Sequence, residues 1–470
     1  MSVPQNINTR QSTKTVQRRP LFLTALSSLA AVILVPLFCT TAAQAETLED
    51  ALAAAYNSNP TLLAQRASLR ATNENVSQAL AGWRPTVSSS ATVGHKRVHT
   101  GTVSDTSLGQ RSLSLSLSQP LYRGGRTEAT TAQTESFVSA GRAQLAVVEQ
   151  NILLAVATRY MTVLRDQAVL GLNQHNVEVL RKQLEATRDR FEVGEITRTD
   201  VAQAEARLSG AISQRVQAGG NLKVTQASYA AAVGAMPGKL VKPAALTGMP
   251  GAENVAQELS LENNPSLQAS RFSEEASKHD IDATRGQMMP TVSLNSELAH
   301  ASDAAARGGR SNSAFMGVTV SVPLYQAGGV YSQLRQSRLL NSQARIEVEE
   351  TRRSVQQQVT QAWERWTTAT AAKDARKDQV RASAIALEGV RQELAVGSRT
   401  TLDVLDSEQE LLDARVALAS AETDEAIASF DLVAAMGGLT AEALGLNVAL
   451  YDPAVDYDKV RDKWFGADVE

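Results

Sequence analysis

The chain of 470 residues holds one cysteine, Cys39, and it falls inside an N-terminal stretch that reads as a removable leader. A mature chain without cysteine has no disulfide framework, no thiol nucleophile and no thiolate metal site. Aromatic residues make up only 4% of the sequence, whereas Ala, Gln, Ser and Thr abound. That is thin material for one large globular core and suits long helices packing through small side chains. Past the leader, no apolar run is long enough to cross a bilayer as a helix. There is no phosphate loop, nucleophile elbow or zinc motif, and five histidines (His95, His99, His175, His279, His300) lie scattered. A secreted enzyme would need an assembled site that is missing here, and no cofactor is expected.

The leader itself is a processing signal. Arg10, Lys14, Arg18 and Arg19 form a basic region with no acid near it, 21–39 is apolar, and Ala43-Gln44-Ala45 is a small-x-small cleavage site. Residues 1–45 therefore read as a signal peptide. Phe38 is a poor neighbour for a lipidated Cys39. The mature chain of 425 residues (470 less 45) keeps 42 basic against 49 acidic side chains, because the leader takes four bases and no acids. A net charge of −7 (42 less 49) argues against a nucleic-acid partner.

What is present is written twice. Asn59-Pro60 recurs as Asn264-Pro265, Pro85-Thr86-Val87 as Pro290-Thr291-Val292, and Pro120-Leu121-Tyr122 as Pro323-Leu324-Tyr325. Val193-Gly194 recurs as Val396-Gly397, and Asp200-Val201 as Asp403-Val404. The offset is 205 at the first landmarks (60 to 265, 85 to 290) and 203 at the later ones (120 to 323, 194 to 397, 200 to 403). Ordered landmarks at a near-constant offset mean two copies of one unit. The copies span 46–235 and 252–436, joined by a proline-bearing linker at 236–251 and followed by a tail at 437–470.

Each copy reads helix, strand, loop, strand, very long helix, tight turn, helix. In the first, 112–118 alternates Ser and Leu with period two, so leucines take one face and serines the other. Strands are expected at 86–98, 111–122, 291–300 and 314–325, with polar loops at 99–110 and 300–312 between them. Strands of about 10–12 residues have the length of a tilted membrane-crossing strand. A serine face is too small and polar for a packed core and suits a wet lumen. After each second strand a Gly-Gly pair opens a proline-free helical pattern, over 126–192 and 329–394, with an apolar stripe at steps of three, four and seven. Such helices would be about 100 Å long. The return helices, 198–235 and 400–436, start at Thr197-Arg198-Thr199-Asp200 and Thr400-Thr401-Leu402-Asp403, each close to a capping box.

Four strands cannot close a barrel, and open edges in lipid cost several kcal/mol for each unpaired backbone group. The strands must close by oligomerisation. Two chains would give eight strands and three would give twelve, and the small lumen face favours the wider, water-filled barrel of three. The competing reading is a periplasmic coiled-coil structural or adaptor protein whose strands never meet lipid.

The order strand pair, long helix, Val-Gly turn and return helix, duplicated, resembles the TolC-like outer-membrane efflux proteins. The stretches 193–201 and 396–406 carry the resemblance most specifically. It implies an α+β membrane protein: a homotrimer whose twelve-stranded transmembrane β-barrel sits in outer-membrane lipid and continues into a long periplasmic α-helical barrel, with linker and tail as a belt. It implies export of small molecules or proteins, with a periplasmic adaptor and an inner-membrane pump of RND or ABC type as partners. The hairpin tips would form the entrance, with Asp403 and Asp406 as acidic rings that could bind a cation. Arg399, Asp200 and Thr199 would close it through links between helices, and Val193, Gly194, Val396 and Gly397 would dock the adaptor. The family's tyrosine two residues before the second Val-Gly is here Leu394, so a tyrosine lock cannot form.

Overall fold

Thr47 and Asp50 cap each other at the start of the first helix: each side chain accepts the other's backbone N–H, at 3.2 and 3.1 Å. In the computed structural model, which describes residues 45–100, 103–246, 248–303 and 307–468, this follows a two-residue strand, β1 (Ala45–Glu46). The leader therefore lies outside the described residues. The first copy runs α1 (Leu48–Ser58), α2 (Pro60–Leu80), β2 (Thr86–Thr100), β3 (Val103–Tyr122), α3 (Arg126–Glu192) and α4 (Arg198–Val233). The linker holds β4 (Lys239–Leu240), parallel to β1. The second copy runs α5 (Glu253–Asn263), α6 (Pro265–Arg285), β5 (Thr291–Ser302), β6 (Arg310–Ser321), α7 (Gly329–Ala395) and α8 (Thr401–Ala435), and the tail adds α9 (Pro453–Arg461).

The repeated landmarks do repeated work. Asn59 caps α2 by accepting the Thr61 N–H at 3.0 Å, and its amide donates to the Ala232 carbonyl at 3.1 Å. Asn264 accepts from Ser266 and donates to Ala435 at the same two distances. Each Asn thus ties the start of one helix to the end of a return helix. Gly125 and Gly328 precede the long helices with φ of 77° in both, the left-handed region that glycine enters without penalty. Each long helix has 67 residues and is about 100 Å long. α3 packs on both α4 and α8, and α7 packs on α8, with α6 lying against α3 and α7.

The four long strands make one antiparallel sheet, ordered β2-β3-β5-β6, with β2 and β6 at its edges. The register puts Leu113 beside Ala91 and His300, and Leu115 beside Ser89 and Leu298, on one face. The opposite face carries Ser88, Ser90, Ser112, Ser114, Ser116 and Ser118. The first hairpin departs from expectation. β2 and β3 pair through most of 99–110, where a loop is expected, and reach 15 and 20 residues. Likewise β6 begins at Arg310 and ends at Ser321, so Pro323-Leu324-Tyr325 lies beyond the strand. Backbone pairing needs no apolar side chains, and a hairpin continues in water for as long as its register holds.

The main core joins both copies and the tail. Tyr160 and Tyr229, both fully buried, sit 6.3 Å apart between α3 and α4. The Tyr160 hydroxyl lies 2.8 Å from the Glu46 carbonyl and accepts the Val241 N–H at 3.1 Å, while Tyr229 donates to the Glu46 carboxylate. Burial and the Glu46 carboxylate push the Tyr229 phenol far up. The tail lies on the first copy through arginines stacked on aromatic rings: Arg66 between Tyr56 and Tyr451, Arg142 on Tyr457 and Arg84 on Trp464. Trp363 and Trp366 pack edge to face at 5.4 Å in a smaller cluster with Val359 and Leu432.

Candidate functional site

Two regions carry the candidate residues: the tips where the long helices turn back, and the sheet. At each tip the turn is imposed by a glycine. Gly194 and Gly397 have φ of 80° and 79°, and their N–H groups donate to the Phe191 and Leu394 carbonyls, both at 3.0 Å. The next residues, Glu195 and Ser398, donate to Arg190 and Glu393, both at 2.9 Å. Val193 and Val396 stand 73% and 80% exposed at the apex. Apolar side chains so bare at a helix end are surface available to a partner.

The return helices then start on complete capping boxes. The Asp200 carboxylate accepts the Thr197 N–H at 2.9 Å, and the Asp403 carboxylate accepts the Thr400 N–H at 2.8 Å. These bonds from the Thr197 and Thr400 backbones hold both carboxyl groups below the usual aspartate range. Thr199 is exposed beside the first box.

Within one chain, Arg399 keeps to its own hairpin. Arg399 does not meet Asp200 or Thr199. It donates to Glu393 on its own hairpin at 2.9 Å and stands 4.0 Å from Asp403. Within one chain the Asp200 carboxylate is already committed to Thr197, and Glu393 offers Arg399 a nearer anion.

Sequence reasoning missed the groups that brace the tips. Arg188 pairs with Glu205 at 2.6 Å across the first hairpin, and Arg391 pairs with Glu408 across the second. The two pairs are equivalent at the offset of 203, which was a usable signal. Arg207 of α4 pairs with Asp406 of α8 and so ties the first tip to the second. No repeat partner marks it. Leu394 packs with the cluster of Leu387, Val404 and Leu411. Among the described residues, no three His, Cys, Asp or Glu side chains come together as a metal site.

On the sheet, the serine face is a hydrogen-bonded ladder. Ser90 and Ser114 are 2.8 Å apart, Ser118 donates to Asn295 at 2.9 Å, and Asn295 donates to Thr319 at 3.0 Å, so polar links cross all four strands. The other face exposes Val87, Val93, Leu113, Leu298, Val318 and Val320. Large apolar side chains in such number on one sheet face need a covering. Among the described residues, no helix is long and apolar enough to cross a membrane.

Comparison with known proteins agrees with this geometry. The model of the family described as "Outer membrane efflux protein" matches twice, over 51–235 and 257–438. The chain is 36% identical over 432 residues to the outer membrane efflux protein BepC of Brucella suis biovar 1 (strain 1330), covering 90% of this chain and 92% of that one. It is 26% identical over 431 residues to the outer membrane protein TolC of Escherichia coli (strain K12), covering 87% and 86%. The solved CmeC outer membrane channel of Campylobacter jejuni superposes with a TM-score of 0.74 at 16% identity, covering 88% and 89%, and shares the fold. A doubled helix–hairpin–helix unit, matched by the family model in both halves, makes this chain a member of the outer membrane efflux protein family, a TolC-like protein of the outer membrane.

Proposed function

We propose that three copies of this chain close their sheets into one twelve-stranded barrel in the outer membrane. Their long helices then continue it as a duct through the periplasm. The observation that carries this reading is the four-stranded sheet, with apolar side chains exposed on one face and edges left open at β2 and β6. Such edges have no place in lipid unless a neighbouring copy pairs with them. The duct exports small molecules such as drugs, or proteins, handed over by an inner-membrane pump of RND or ABC type through a periplasmic adaptor. The adaptor docks on the tips at Val193-Gly194 and Val396-Gly397.

Gating belongs to the second tip. Three chains bring three copies each of Asp403 and Asp406 around one axis, and these rings bind a cation and narrow the duct. Arg399, Asp200 and Thr199 close it, once a neighbouring chain supplies the partners that one chain keeps apart. Single-channel recording with a trivalent cation on the tip side tests the gate. Block of the parent and loss of block in the Asp403→Ala, Asp406→Ala double variant are expected; equal block in both rules the rings out.

A further inference from the structure

The apolar sheet face changes character along a single register row. Leu115 and Leu298 are paired, and two residues further from the helices Leu113 pairs with His300, whose Nδ1 lies 2.6 Å from Asn312 Oδ1. One step beyond, Arg111 pairs with Ser302 and Ser302 pairs with Arg310. Two exposed arginines therefore flank one serine, their backbones about 10 Å apart across two strand spacings, on the same face as the leucines. Directly below this row lies an open depression of about 430 Å³ whose lining includes Leu113, Leu115, Leu298 and Ala314. The nearest acid in sequence, Asp303, takes the Gly308 N–H instead.

The height of the row is informative. From Tyr122 to Arg111 is eleven residues, and from Ser321 to Arg310 is eleven as well. At ~3.3 Å per residue and a tilt of about 40°, that is ~28 Å of height, close to the ~25 Å apolar band of a membrane barrel. The arginines thus fall at the rim of the band on the side away from the helices.

We propose that this row and depression form a binding site for a phosphorylated glycolipid of the outer leaflet. An acyl chain would lie in the depression, and a headgroup phosphate would be held by Arg111 and Arg310, whose forked guanidinium groups match phosphate oxygens. The site sits at the β3–β5 seam, where the two copies of the repeat join, so the lipid braces that seam from outside. The proposal rests on the reading that the leucine face meets lipid.

The test uses the detergent-purified full protein. Lipid bound per chain is counted by native mass spectrometry after exposure to lipopolysaccharide, to the same lipid stripped of phosphate, or to phosphatidylethanolamine. The parent is expected to retain the phosphorylated lipid, and the Arg111→Gln, Arg310→Gln variant to retain roughly tenfold less. The Arg111→Lys, Arg310→Lys variant, which keeps the charge but loses the fork, should retain more than the Gln variant and less than the parent. Equal retention by the Gln variant, or equal binding of phosphate-free lipid, overturns the proposal. Displacement of the lipid by inorganic phosphate alone would reduce the site to an ion site and also overturns it. Should the Gln variant fail to fold, the parent's preference between phosphorylated and stripped lipid still decides. Conductance of the same preparations in planar bilayers separates the two readings: a conducting parent that binds no lipid sinks this inference alone, and one that forms no channel sinks the export reading.

Discussion

Asp403 and Asp406 stand one turn apart on α8 and do different things. Asp403 is occupied by the cap, whereas Asp406 is exposed and held by Arg207 of another helix. An ion pair this exposed contributes ~0.2–1 kcal/mol, so its removal should barely move Tm. Its effect belongs to the tip: Arg207→Ala frees the Asp406 carboxylate, and trivalent-cation block in single channels should strengthen several-fold, whereas Asp406→Asn weakens it. Unchanged block in both variants removes Asp406 from the gate. The caps add a pH dependence. Both aspartates titrate lower in the fold than in the unfolded chain, where a value of about 3.9 applies. Their stabilisation is therefore complete above that value and is lost as pH falls through the folded one. A spin label at Ser398 should become more mobile as pH drops below about 4, while one at the buried Ser383 position should not.

At the level of elements, the two Val-Gly turns are the same object built twice. A Cβ added to Gly194 or Gly397 would meet nothing within 4 Å, so the cost of substitution is backbone conformation alone, about 1–2 kcal/mol for a non-glycine residue held at positive φ. Valine at both positions should leave trimers intact and lower export in a complementation assay. Asparagine, which tolerates that region, distinguishes the causes: adaptor docking predicts loss of export with Asn too, whereas turn strain alone predicts loss with Val only. The elements also show what a sequence can and cannot tell. Asn59 and Asn264 stood out in the sequence only as repeat landmarks; that each ends one helix and caps the next was hidden, because helix formers continue on both sides of the break. The alternation over 112–118 announced a strand because it is set by the pleat. The extra length of β2 and β3 was hidden, since a hairpin pairing in water leaves no apolar mark. Arg207 with Asp406 was hidden because 199 residues and three helices separate the partners, with no period linking them.

At the scale of the whole molecule, the open edges of the sheet decide what the chain must do. A proline scan across Met316–Val320 on β6 tests this, because N–H groups along an edge strand alternate between the inner neighbour and the outside. Where the lost N–H points away from β5, trimers should disappear from native mass spectra while the chain keeps its helices. Persistence of trimers across the whole scan would exclude closure through β6. The tail lay beyond sequence reasoning for a related cause: it occurs once, so no second copy reveals its contacts, and its arginine–aromatic stacks all fall on the first copy. Finally, each 67-residue helix is clamped near its middle, α3 by the core around Tyr160 and α7 by the cluster around Val359 and Ala362, with about 50 Å of helix running on to the tip. Over that length a swing of ~5° about the clamp carries the tip ~4 Å. Leverage of this kind lets the far end travel an atom's width or more while the clamp itself is scarcely disturbed.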